Sequence, residues 1–195
     1  MGRIADAFTT LKRDRKKGFI PYITAGDPDL ATTEQLLVTL AQHATLIELG
    51  VPFSDPMADG PVIQRASERA LKNNFGLQDI LDTAARARKQ IETPIILFSY
   101  YNPLLQFGLK RVAGAASEAG IDGVLVTDLT PEESGAFEAE LRAHDLDMIF
   151  LIAPTSTDER LKLVAKHASG FIYAVSRAGV TGTRETVSTE AEKLV

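Results

Sequence analysis

The 195-residue sequence predicts an α/β fold built on a parallel β-sheet. Short apolar runs alternate with longer segments of helical periodicity, which is typical of strands joined by crossover helices. The runs are apolar at consecutive positions, which indicates strands that are buried on both faces. Their starts are spaced like the βα units of a (β/α)8 barrel, at about 30 residues each. We therefore expect about six βα units in a single domain, residues 1–195.

The apolar runs give the predicted strands in chain order, at 19–24, 46–49, 94–98, 123–127, 148–152 and 170–175. The helical patterns between them lie at 30–43, 61–90, 103–119, 131–144 and 157–168, and a last helix is expected to open near Thr186. Pro61, Pro103 and Pro131 each suit the first turn of a helix, where a missing N–H costs nothing. The polar segment 155–159 offers N-cap residues for the helix after the fifth strand.

Periodicity alone fits two architectures. Six units could form part of a barrel or an open, doubly wound sheet. The first predicted turn reads Ala25-Gly26-Asp27-Pro28 and lacks the Gly-x-Gly-x-x-Gly pattern of dinucleotide-binding sheets.

Composition excludes several classes of function. The net charge is −5, so the electrostatic footprint of a nucleic-acid-binding protein is missing. The chain has no cysteine, which rules out disulfides and cysteine-bound zinc. No apolar run approaches the roughly 18 residues that a membrane helix needs, and the first residues carry no apolar signal segment. We expect a cytoplasmic protein.

Glu48 is the most informative single residue. It interrupts the second apolar strand, and ligands of parallel α/β folds bind at the carboxyl ends of strands. Burial disfavours a charged carboxylate and raises its pKa toward a value useful for general acid or base catalysis. The alternative is a structural Glu that is paired with a basic residue or reaches water at the strand end.

A loop rich in proline, glycine and aspartate follows this strand at 50–61. Long irregular loops in compact domains are usually functional or disordered. Asp55 and Asp59 lie in this loop, on the side of the sheet where Glu48 ends, and carboxylates in different environments can divide acid and base roles. The alternative is that each Asp caps a turn or the next helix.

A second glycine-containing loop follows the sixth strand, with Gly179 and Gly182. It suits either an anion-binding or a closing loop, or a plain connection. The three histidines, His43, His144 and His167, fall in helical segments, which argues against a metal cluster. No lysine ends an apolar strand, which argues against a Schiff-base aldolase.

Six segments in order carry a family resemblance. The most specific is the 16-residue segment 46–61, Leu-Ile-Glu-Leu-Gly-Val-Pro-Phe-Ser-Asp-Pro-Met-Ala-Asp-Gly-Pro. Segments 19–28, 100–103, 122–129, 153–155 and 173–182 agree with it, so the match spans nearly the whole chain. The sequence resembles the tryptophan synthase α chain family.

The resemblance implies a TIM-type (β/α)8 barrel, with about six units present here and an open parallel sheet edge. It also implies a lyase of tryptophan biosynthesis that cleaves indole-3-glycerol phosphate to indole and glyceraldehyde 3-phosphate in a retro-aldol reaction. Family members continue for about two more βα units, which carry most of the phosphate site.

The resemblance also assigns residues. Glu48 matches the family's acid/base and Asp59 matches the carboxylate at the indole N–H. Tyr173 matches a residue beside Glu48, while other positions match the indole pocket or the loop that closes over it: Tyr22, Phe98, Tyr100, Thr127, Thr181 and Gly182.

The implied partner is a β subunit that carries pyridoxal phosphate and receives indole directly in an α2β2 assembly. No cofactor or metal is implied in this chain. Loop 52–59 and the region of Asn102 match the surface that faces the partner. An alternative is a shortened, catalytically weak form that only binds or activates the β subunit.

Overall fold

A computed structural model describes residues 2–175 of the chain. All six predicted strands are present, and every pairing between neighbours is parallel. The strands are β1 (Tyr22–Thr24), β2 (Ile47–Gly50), β3 (Ile95–Ser99), β4 (Gly123–Val126), β5 (Asp147–Ile152) and β6 (Ile172–Ala174).

The strand order decides between the two architectures. The sheet runs β1-β2-β3-β4-β5-β6 without a reversal, whereas a doubly wound sheet changes direction at a switch point. Within residues 2–175, β1 and β6 each pair with one neighbour, so both edges of the sheet are open. The fold is six strands of a (β/α)8 barrel, as predicted.

Eight helices accompany the strands in the described part of the chain. None of them is long and apolar enough to cross a membrane. The helices are α1 (Arg3–Asp14), α2 (Leu30–Leu40), α3 (Pro61–Ala70), α4 (Leu77–Arg88), α5 (Tyr101–Phe107), α6 (Leu109–Glu118), α7 (Gly135–Ala143) and α8 (Asp158–His167).

Two predicted helices are each split in two. The pattern at 61–90 becomes α3 and α4, because the turn between them is held against the end of β1: the Asn73 side-chain amide donates to the carbonyls of Gly26 and Pro28. The pattern at 103–119 becomes α5 and α6, which meet at Gly108 with φ of +96°, a conformation that favours glycine.

A third predicted helix begins later than expected. The segment 131–144 was predicted to start at Pro131, but Pro131 opens a turn and α7 begins at Gly135. The buried Ser134 hydroxyl donates to the carbonyl of Pro131 and closes this turn. The predicted helix near Thr186 lies outside the described residues.

The sheet has an apolar cluster on each face, which explains the continuously apolar strands. One cluster packs the helices against the sheet and includes Ile47 and Leu49 of β2. The other fills the opposite, inner face and is built on Leu46, Ile96, Leu125 and Ile149, with Ile4 of α1 among them. Helix α1 therefore covers part of the inner face.

Ion pairs fix α1 at the amino end of the sheet. Asp122, just before β4, accepts hydrogen bonds from the guanidinium groups of Arg3, at 3.0 Å, and Arg88, at 2.9 Å. The backbone N–H of Ile95 donates to the same carboxylate at 2.9 Å. One buried carboxylate thus joins α1, α4, β3 and β4.

Candidate active site

Glu48 lies on the inner face of the sheet. Its neighbours Ile47 and Leu49 belong to the helix-side cluster, and side chains alternate across a strand, so Glu48 shares the inner face with Leu46. The residue is only 4% exposed. The strand thus delivers a carboxyl group into the interior of the barrel.

The Glu48 carboxyl is not part of an ion pair within residues 2–175. Within the described residues, its Oε1 atom is buried and makes no hydrogen bond. Burial raises the pKa of Glu48 to about 7, because the charged form loses its hydration. The structure therefore does not support the alternative of a structural ion pair at Glu48. A carboxyl with this pKa can both give and take a proton near neutrality.

Tyr22 covers the end of β2. Its phenol ring lies over Gly50, where a β-carbon would come within 2.0 Å of the Tyr22 hydroxyl oxygen. The ring meets Phe98 edge to face, with centroids 5.3 Å apart. Burial raises the pKa of Tyr22 to about 12, although a hydrogen bond with Thr24 opposes the rise, so the phenol stays protonated at neutral pH. Tyr22 and Phe98 form an aromatic wall beside Glu48.

Asp59 is half-buried in the loop that follows β2. Burial raises the pKa of its carboxyl, and a hydrogen bond from the Tyr100 hydroxyl opposes the rise. The charge of Asp59, like that of Glu48, raises the pKa of Tyr22. Both carboxyls therefore lie within electrostatic reach of the same phenol.

Asp55 does not join this pair. It is exposed, and its carboxylate accepts a hydrogen bond from the neighbouring Ser54 hydroxyl. Residue type and spacing alone do not separate Asp55 from Asp59, whereas the fold exposes Asp55 and half-buries Asp59. Among residues 2–175, neither carboxylate caps a turn or a helix through a backbone N–H, so the capping alternative is not seen at either position.

Tyr173 reaches the site from β6. It packs with the inner-face cluster, and burial together with the Glu48 charge raises the pKa of its phenol. Residues on β2 and β6 are therefore close enough to interact electrostatically, although three strands separate them in the sheet. The curvature of the barrel makes this approach possible.

Thr127 forms hydrogen bonds with the end of the neighbouring strand. It follows β4 directly, and its backbone N–H donates to the carbonyl of Ser99 at 3.0 Å. Its hydroxyl is 3.4 Å from the same carbonyl. Thr127 thus ties the ends of β3 and β4 together. Thr181 and Gly182, with the rest of the loop after β6, lie outside the described residues.

Two features of the site were missed from the sequence. One is Gly50, whose signal was available: a glycine inside a strand often marks the close approach of another group. The other is the pairing of the Tyr100 hydroxyl with the backbone of Ala58, across 42 positions of sequence, for which no local signal exists. Among residues 2–175, no group of three or more His, Asp or Glu side chains is arranged to hold a metal ion.

Comparisons with known proteins identify the family of the chain. The sequence model of the tryptophan synthase alpha chain family matches residues 8–195. The chain is 54% identical over 188 residues to the tryptophan synthase alpha chain of Geobacter sulfurreducens, covering 96% of this chain and 71% of that protein.

Solved structures give the same result. The tryptophan synthase alpha subunit of Legionella pneumophila is 44% identical and superposes with a TM-score of 0.84, covering 90% of this chain and 68% of that one. A chain of the tryptophan synthase α2β2 complex of Pyrococcus furiosus is 39% identical, with a TM-score of 0.84 and coverage of 91% and 70%. The chain belongs to the tryptophan synthase alpha chain family.

Proposed function

We propose that this chain acts as the α subunit of tryptophan synthase, a carbon–carbon lyase that converts indole-3-glycerol phosphate to indole and glyceraldehyde 3-phosphate. The observation that carries the proposal is Glu48: a carboxyl on the inner face, without a hydrogen bond to one oxygen in the described residues and with a pKa near 7. Such a group is costly to bury, so its retention points to chemistry rather than stability.

In the proposed reaction, Glu48 moves two protons. Its protonated form donates to C3 of the indole ring, which makes the ring an electron sink. The carboxylate then accepts the proton of the glycerol hydroxyl next to the ring. The electron pair of the breaking carbon–carbon bond returns to the ring, indole leaves, and the hydroxyl-bearing carbon becomes the aldehyde of glyceraldehyde 3-phosphate. A pKa near neutrality suits both transfers.

Asp59 is proposed to accept or stabilise the proton on the indole nitrogen as the ring becomes positively charged. Its raised pKa and half-burial suit this task, because a poorly hydrated carboxylate interacts strongly with a cation. The aromatic wall of Tyr22 and Phe98 offers a surface for a planar apolar ring. Tyr100, Thr127 and Tyr173, together with Thr181 and Gly182, are proposed to complete the substrate site.

The proposed partner is the β subunit of tryptophan synthase, which would hold the pyridoxal phosphate and receive the indole. Support comes from the related chain solved in an α2β2 complex. Loop 52–59 and the start of α5 near Asn102 are the proposed contact surface. Met57 in this loop is 81% exposed, as expected for an apolar side chain that is covered only in an assembly.

We also propose that residues 1–195 form one domain that works in the cytoplasm. A single sheet with an apolar cluster on each face supports the assignment of one domain, because no boundary divides the described core. The metabolic role of the family supports the compartment.

The test is indole release from indole-3-glycerol phosphate, measured for the chain alone and with added β subunit. Glu48→Gln should lower kcat by about a thousandfold, since it removes the proton transfers while keeping the shape of the side chain. Glu132→Gln, at an exposed carboxylate in the turn before α7 that pairs with Arg160, serves as the control.

Three outcomes separate the candidate functions. Indole release that depends on Glu48 supports the lyase. Indole release by Glu48→Gln within a few-fold of the parent contradicts the proposed mechanism. No indole from the parent, with co-elution of the chain and the β subunit on size exclusion, would instead support a form that only binds or activates its partner.

A further inference from the structure

Tyr100 does more than line a pocket. It lies at the N-cap position of α5, directly after β3, and is only 4% exposed. A tyrosine buried to this degree usually needs a hydrogen-bond partner for its hydroxyl. The partners of Tyr100 lie in the loop after β2 and not in its own segment.

The Tyr100 side chain holds that loop at two points. Its hydroxyl oxygen accepts a hydrogen bond from the backbone N–H of Ala58 at 2.9 Å. Its ring packs against Phe53, with the centroids 5.3 Å apart. Phe53 lies near the start of the loop and Ala58 near its end. One side chain directly after β3 therefore contacts both ends of the segment that leads to Asp59.

The hydroxyl hydrogen of Tyr100 remains available for Asp59. Because the oxygen already accepts from the Ala58 N–H, the one proton of the phenol is free to be donated, and the Tyr100 hydroxyl is close enough to the Asp59 carboxyl to lower its pKa. On the other side, the Gln64 side-chain amide donates to the Asp59 carbonyl at 2.8 Å. The backbone on both sides of the Asp59 side chain is thus fixed, at Ala58 by Tyr100 and at Asp59 by α3.

We propose that Tyr100 is the positioning residue of Asp59: its hydroxyl, fixed by the Ala58 N–H, orients the Asp59 carboxylate toward the site. This rests on the proposed function for the role of Asp59 in the reaction, but the contact itself does not. It assigns Tyr100 an action through Asp59, in addition to any direct contact with substrate.

The Tyr100 hydroxyl also affects the protonation of Asp59. A hydrogen bond to a carboxylate favours its charged form, so Tyr100 keeps the pKa of Asp59 lower than burial alone would set it. Among residues 2–175, the other titratable groups that interact with this corner are Tyr22 from β1 and Glu48 from β2. Tyr22 stays protonated at neutral pH, because burial is the largest cause of its raised pKa and the charges of Asp59, Glu48 and Tyr100 raise it further.

The test compares Tyr100→Phe with Tyr101→Phe by NMR on the 195-residue chain. Tyr101 is the next residue, and its ring packs with the helix-side cluster. Within residues 2–175 its hydroxyl makes no side-chain hydrogen bond, so the control deletes the same atom without the contact.

In Tyr100→Phe, we expect the Ala58 amide to exchange at least about tenfold faster, which corresponds to losing one hydrogen bond. The Asp59 carboxyl should titrate at a higher pH than in the parent, since its donor is gone. Tyr101→Phe should leave both unchanged. If neither the exchange of the Ala58 amide nor the titration of Asp59 changes in Tyr100→Phe, the proposal is overturned.

A kinetic measurement separates positioning from substrate contact in the enzyme with its β subunit. Tyr100→Phe should lower kcat while KM stays within about twofold, because a misplaced Asp59 weakens the transition state more than the bound substrate. A raised KM with unchanged kcat would make Tyr100 a substrate contact only and overturn the positioning role. If the parent releases no indole, the proposed function fails, whereas the NMR result still decides the contact.

Discussion

Asp122 and Glu48 are two buried carboxyls in different parts of the same sheet. Asp122, at the amino end of β4, has a side chain 7% exposed and accepts from Arg3, Arg88 and the backbone of Ile95. Glu48, on the inner face of β2, is 4% exposed, yet its Oε1 atom has no partner among the described residues. A buried charge whose hydrogen bonds are satisfied stabilises a structure, and one left unsatisfied is suited to proton transfer. The Asp122 contacts therefore serve stability, and Glu48 is suited to chemistry.

The largest effect should come from removing the charge at the amino end. Asp122→Asn should lower the free energy of unfolding by about 3 kcal/mol, because the poorly exposed guanidinium of Arg88 loses its counter-charge. Urea unfolding measures this change. Glu132→Gln, the same chemical change at an exposed ion pair, should leave the unfolding midpoint unchanged. Equal losses of unfolding free energy in Asp122→Asn and Glu132→Gln would contradict a larger contribution from the buried ion pair.

The next effect is the pH dependence of stability at Glu48. The folded pKa of about 7 lies above the usual value of 4.5, so the folded state binds more protons than the unfolded state between these values. Stability from this group is full below pH 4.5 and is lost as pH rises through 7. Relative to Glu48→Gln, the parent should lose about 2 to 3 kcal/mol of unfolding free energy between pH 4.5 and 8. If the difference in unfolding free energy between the parent and Glu48→Gln is constant with pH, burial does not raise the pKa of Glu48.

A smaller effect tests the aromatic wall beside Glu48. Gly50→Ala should destabilise the chain by about 1 to 2 kcal/mol, because the new methyl group meets the Tyr22 phenol. Gly135→Ala is a matched control: a β-carbon there meets nothing within 4 Å, and the residue opens α7. The melting temperature of Gly50→Ala should therefore be clearly lower than that of Gly135→Ala. Equal melting temperatures would contradict the close approach of Tyr22 to Gly50.

The two carboxyls also differ in how far the sequence predicts them. Glu48 is predictable because it interrupts an apolar run that marks a strand, and Asp59 because it lies in the irregular loop after that strand. The contacts of Asp122 cannot be predicted in this way, because its partner Arg3 is 119 residues away and only the fold brings the two side chains together. The breaks in the predicted helices have the same origin: Asn73 bonds to the end of β1, a tertiary contact that local periodicity does not contain.

Glu48 is buried, and within residues 2–175 its carboxyl lacks a full set of hydrogen-bond partners, which raises its pKa to about 7. A ¹³C NMR titration of the Glu48 side-chain carboxyl, with Glu48→Gln to assign the signal, measures this pKa. We expect a value close to 7. A pKa near 4.5 would mean that the carboxyl is hydrated or paired in solution, and it would remove the physical basis for assigning Glu48 as the acid/base.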